Sequence, residues 1–239
     1  MDTSRLLDDV RTLRGQGQSP KQIARALGVA PSVVAPLIRA IAAETRSDGE
    51  LGEVMGCWIN SGWSFGLTVD PASGWTDETA EEDITTGGLV SVVVARKHGW
   101  DKLSICGYLV DVYCLGVKNA YGPELGDERD LRKLREESFA SYETGYVPAP
   151  VELARHVIFG AVDYASGLGF EPHPDFAEAV AHLGEWDGGS AITFGKDGKP
   201  FYVPGPYDNP RAVIKTLEKT VGPPPNFDYV LTGPEETNG

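Results

Sequence analysis

Residues 89–97 read Leu-Val-Ser-Val-Val-Val-Ala-Arg-Lys, and no other stretch narrows the fold as sharply. β-Branched side chains lose rotamer freedom in a helix and fit a pleated strand. A strand wetted on one side alternates apolar with polar residues. This one is apolar almost throughout, so it predicts a strand buried on both faces.

Shorter signals surround that run. Residues 54–60 (VMGCWIN) and 64–70 (SFGLTVD) are β-branched and aromatic on either side of Gly62, and they read as a hairpin. Residues 71–88 are acidic and poor in apolar side chains, which predicts a surface loop. Residues 102–120 begin as a strand and turn helical somewhere beyond Gly107. Helices follow. Asp127 caps a charged one to about Tyr142, Pro150 opens a longer one, and Pro174 opens a short one. Two short apolar segments flank Gly195–Lys199 as a hairpin. Pro210 starts a helix capped by Asp208 or Asn209, residues 227–232 form a last strand, and 233–239 read as a disordered tail. The body over 53–232 is therefore expected to be α+β, with a mostly antiparallel sheet and grouped helices.

The first 46 residues follow a different period. Leu6, Leu7, Val10 and Leu13 share a stripe ended by Gly15 and Gly17. Ser19, Pro20 and Gln22 make a capping box, Ile23, Ala24 and Leu27 an inner face, and Gly28 a stop. From Pro31 to about Glu44, the residues Val34, Leu37, Ile38 and Ile41 make a third stripe. The expectation is a tri-helical domain at 1–46 and a polar linker at 47–52.

The segment SPKQIARALGVAPSVVAPLIRAI resembles the helix-turn-helix of homeodomain-like bacterial regulators and resolvases over residues 3–44. The resemblance implies a third helix lying in the DNA major groove. It places Ser32, Ala35, Pro36 and Arg39 on the reading face, with Lys21 and Arg25 near phosphates. That face is poor in the forked side chains that match purine edges, so binding per monomer would be weak and a homodimer would multiply it. The whole chain is also similar to bacterial proteins described only as helix-turn-helix domain-containing. The matching segments are CGYLVDVYCLGVKNA, GAVDYASGLGFEPHPDF and ITFGKDGKPFYVPGPYDNP. That likeness implies no chemistry.

Charge divides the chain the same way. Residues 1–46 hold seven Lys and Arg against four acids, whereas the whole 239-residue chain has a net charge of −14. A basic head on an acidic body suits a protein whose first part meets a polyanion and whose remainder does not. Membrane spanning is not expected, because no run approaches the roughly 18 apolar residues required. The amino terminus carries charges within its apolar pattern, so a secretory signal is not expected either. Three cysteines without CxxC spacing argue against a disulfide framework or a zinc knuckle and suit a reducing cytoplasm.

The body offers few candidates for chemistry. Asp111, Cys114 and Lys118 would share a face if residues 110–120 were helical, and Lys118 would then favour the thiolate. Cys114 or Cys106 with His156 and Asp163 would make a nucleophile, base and orienting carboxylate for a cysteine-dependent hydrolase or transferase. Against this, free cysteine is among the most buried residue types. His98, His156, His173 and His182 show no metal-ligand spacing, so neither metal nor cofactor is expected. Trp58, Trp63, Phe65 and Trp75 are candidates for a small-molecule pocket, and aromatics at strand positions more often build core. The leading expectation is a DNA-binding transcriptional regulator whose body senses a ligand or mediates assembly. The alternatives are the cysteine enzyme and a protein-interaction module.

Overall fold

The structure, a computed structural model, describes residues 10, 12–13, 20–29, 33–34, 51–78 and 87–230. The chain divides into two compact units, Met1–Gly52 and Glu53–Gly239.

In the first unit the one continuous helix among the described residues is α1 (Pro20–Leu27), followed by Gly28 at φ +65°. Val10, Thr12–Leu13 and Val33–Val34 are also helical but are described only singly or in pairs, and no tri-helical domain is shown. The expectation of such a domain is thereby corrected. Periodicity reports which side chains can share a face, and it does not establish how many turns form. At eight residues α1 is too short to be stable alone, so it depends on burial. Ile23 and Ala24 supply that burial, clustered with Val10 and Val34.

The second unit is built on a five-stranded antiparallel sheet in the order β5-β4-β3-β1-β6. Its strands are β1 (Val54–Asn60), β3 (Leu89–His98), β4 (Lys102–Asp111), β5 (Gly116–Gly126) and β6 (Tyr146–Pro148). The apolar run at 89–97 is the middle strand, with Val90 through Arg96 all buried. Alternate residues serve two cores. Val90, Val92 and Val94 face a large cluster with Cys106, Tyr108 and Val110, while Val93 and Ala95 face a smaller one with Leu103 and Ile105. Each fully buried Val or Ile side chain stabilises the fold by roughly 1.5–3 kcal/mol.

A helix covers each face. The 17-residue α3 (Val151–Gly167) packs against β1, β4 and β5 through Leu153, Ala154, Val157, Ile158 and Ala161. On the opposite face α2 (Glu128–Ser138) packs against β3, β4 and β5. Asp127 starts α2 with a reciprocal capping box, accepting from Arg129 N and Asp130 N while its own N–H donates to Asp130. At its far end Arg135 lies 4.4 Å from the Trp58 ring centroid and 5.4 Å from that of Tyr146, pinning the helix to the sheet.

Several local expectations fail in instructive ways. Residues 64–70 do not fold back on β1. β2 (Thr68–Val69) pairs instead with β7 (Ile192–Thr193), and β1 takes β3 and β6 as neighbours. Residues 102–120 do not turn helical: β4 and β5 form a hairpin, with Val112–Leu115 as its turn. The turn at Gly195–Lys199 does close, with an isolated antiparallel bridge between Lys196 and Lys199, but the flanking strands pair elsewhere: β7 with β2, and β8 (Phe201–Tyr202) parallel to β9 (Asp228–Tyr229). In the first and last of these cases a partner distant in the chain takes the place of the local one, whereas β4 pairs with the strand that directly follows it. The remaining helices are α4 (Phe176–Ala179), continued by a 3-10 turn to Leu183, and α5 (Pro210–Thr220), capped by Asn209. Among the described residues no helix is long and apolar enough to cross a membrane.

Candidate functional site

Two places on the body gather polar side chains. The first is the β4–β5 turn. Asp111 ends β4 with its carboxylate buried, and its Oδ1 accepts from Tyr113 N at 2.9 Å and Cys114 N at 3.0 Å. Burial pushes its carboxyl up to about 6, opposed by those N–H groups and by Lys118. Lys118, two residues into β5, reaches Asp208 at 2.7 and 2.9 Å. Asp208 also accepts from Gly205 N at 2.8 Å and Tyr202 OH at 3.4 Å. The carboxylate considered as a helix cap thus holds a lysine from the sheet, and Asn209 does the capping.

The structure therefore brings Asp111, Cys114 and Lys118 into one neighbourhood, through a hairpin rather than one face of a helix. The chemistry imagined for them does not follow. Cys114 has no exposed surface, and its thiol is driven up by burial first and by the neighbouring Asp111 charge second, which outweigh Lys118. A thiolate is the attacking species, so burial and the Asp111 charge both oppose a nucleophilic role for this cysteine. Cys106 is equally buried in the main core, and burial pushes the Cys57 thiol up to about 12.

His156 is committed elsewhere. Its Nδ1 accepts from Ala191 N at 2.8 Å, its Nε2 faces Glu152 at 3.6 Å, and its ring meets Trp75 and Trp186 edge to face. It fastens the segment before β7 to α3, with Ser190 Oγ donating to the His156 carbonyl. Asp163, one side of the supposed triad, is exposed on α3. Among the described residues no group of three His, Cys, Asp or Glu side chains is placed to hold a metal ion. The four aromatics proposed as a pocket are divided between the faces of the sheet. Trp63 is in the main core with Phe65 and Trp75 packed against it, while Trp58 lies over Gly56 on the α2 side.

Of the residues expected to meet DNA, Arg25 is exposed in the last turn of α1, and Lys21 belongs to the same helix. Ser32 and Arg39 lie outside the described residues.

The second polar place was not anticipated. On the α2 face of the sheet, Ser91, Leu109 and Asn119 form one cross-strand row, and Val93, Gly107 and Tyr121 form the next. A Cβ on Gly107 would fall 2.1 Å from the Tyr121 ring, so only glycine lets that ring lie across β4. Tyr121 OH and Ser138 Oγ, at the end of α2, are 3.1 Å apart. Tyr142 OH donates to Ser91 Oγ at 3.0 Å. Ser91, Gly107, Leu109, Asn119, Tyr121, Ser138 and Ser141 line a groove of about 230 Å³. Two signals for it were present in the sequence: a serine interrupting the apolar run of β3, and a glycine inside β4.

No family model, curated protein or solved structure matches this chain.

Proposed function

We propose that the protein is a DNA-binding regulator. Its basic amino-terminal segment contacts the phosphate backbone, and its acidic body is a non-catalytic part that senses a ligand or mediates assembly. The observation that carries this reading is the charge division. Residues 1–46 hold seven of the 21 Lys and Arg residues in under a fifth of the chain. Attraction to phosphates depends on the number of cations presented rather than on a particular arrangement of helices, so the reading does not need a tri-helical unit. Arg25, exposed on α1, is the described side chain best placed for such a contact. The body supports the non-catalytic half of the reading, with three buried cysteines and a histidine, His156, whose Nδ1 is spent on a backbone N–H.

A low-salt gel shift with genomic fragments tests the reading. The full chain is expected to retard DNA, and a variant carrying Lys21→Ala, Arg25→Ala and Arg39→Ala is expected to lose that retardation. Equal retardation by the two proteins would overturn it.

A further inference from the structure

The groove between α2 and the sheet has a composition that specifies a ligand class. Its polar side chains are Ser91, Asn119, Tyr121, Ser138 and Ser141, and Leu109 and the Tyr121 ring are among its apolar lining. None of these carries a formal charge. The Tyr121 phenol is held above its ordinary range, by burial foremost, with Glu124 and Glu137 adding to the effect, so it remains a protonated donor. Hydroxyl and amide groups both donate and accept, which matches a partner whose own polar groups do both. Asn119 and Ser141 are exposed at the rim, and neither spends its side chain on a hydrogen bond among the described residues. A volume of about 230 Å³ lies below the usual range for drug-sized sites, so the occupant is small. The two nearby glutamates and the net charge of −14 oppose phosphate and carboxylate groups.

The geometry points to a binding site for a neutral, polyhydroxylated ring of monosaccharide size, whose C–H face rests on Tyr121 and Leu109 and whose hydroxyls meet Asn119, Ser138 and Ser141. This inference rests on reading the body as a ligand-sensing part and supplies the class of ligand.

The test titrates the full chain with D-glucose, D-galactose, D-mannose and myo-inositol, beside glucose 6-phosphate, by calorimetry and ligand-observed NMR. At least one neutral ring is expected to saturate a single site with a millimolar or tighter Kd, as suits a ligand of about 12 heavy atoms. The phosphate ester should bind about tenfold more weakly than its parent sugar. Asn119→Ala should weaken binding about fivefold, the equivalent of one lost hydrogen bond. Ser141→Phe, which fills the mouth, should abolish it. Both altered residues are exposed, so unchanged thermal unfolding midpoints establish that the fold is intact. Failure of all four neutral rings to saturate would overturn the inference, as would equal binding by both variants or preferred binding of the ester. These titrations contain no DNA. Sugar binding without gel retardation would leave the groove standing and remove the regulator, and retardation without sugar binding would do the reverse.

Discussion

Asp111 buries a carboxylate against the backbone of its own turn, and this has a consequence for stability. An aspartate in the unfolded chain titrates near 4. In the folded protein, burial moves Asp111 up to about 6. The folded state therefore holds a proton that the unfolded state has released over that interval, so stability falls as pH rises. The contribution is fully present below about pH 4 and is lost through pH 6, amounting to about 3 kcal/mol. Asp111→Asn keeps an Oδ1 acceptor for Tyr113 N and Cys114 N and removes the titration. Urea unfolding at both ends of the interval should show the wild type losing about 2–3 kcal/mol more than this variant as pH rises. Parallel losses would contradict the assignment. The thiols give a second check at this scale. In the folded chain at neutral pH, Cys57, Cys106 and Cys114 should resist alkylation, and all three should react in denaturant. Rapid modification of Cys114 in the folded protein would restore the enzymatic alternative. The sequence spacing put Asp111, Cys114 and Lys118 together for the wrong reason: helical and hairpin geometry both return a chain to its neighbourhood within a few residues.

At the scale of elements, what could be read was whatever depends on a segment alone. The β3 run showed its own two-sided burial, and Pro150 and Asp127 marked where helices begin. Partners could not be read, because pairing is decided between segments far apart. Thr68–Val69 carries no mark of Ile192–Thr193, the distant segment with which it pairs. The turn at 112–115 is a related case: its closing group is a side chain, Asp111, rather than a glycine-rich dipeptide. The packing of α3 carries a prediction of its own. Gly160 lies in mid-helix, where alanine has the better intrinsic propensity by about 1 kcal/mol. A Cβ there would fall 2.5 Å from the Phe194 ring and 2.7 Å from Ser190 Cβ. Gly160→Ala should therefore destabilise the protein, because overpacking costs about 1–3 kcal/mol and outweighs the propensity gain. A raised unfolding midpoint would show that α3 and the segment before β7 pack more loosely than described.

For the molecule as a whole, the claim is a division of labour between a basic amino-terminal segment and an acidic body. The charge division was legible at once, since it requires only counting. The groove on the α2 face was not, because Ser91, Asn119 and Ser138 come from three elements that only the sheet register and the placement of α2 bring together. The tri-helical expectation illustrates the opposite hazard, in which a strong local pattern over residues 1–46 implied more architecture than is shown. Fluorescence anisotropy of labelled duplex DNA, titrated with the full chain across a series of salt concentrations, tests the division most directly. Binding is expected with a log affinity that falls linearly with log salt, at a slope of about −0.9 for each phosphate neutralised, and with a shallower slope for Arg25→Ala. Absence of binding at the lowest salt, or a slope unchanged by Arg25→Ala, would contradict it.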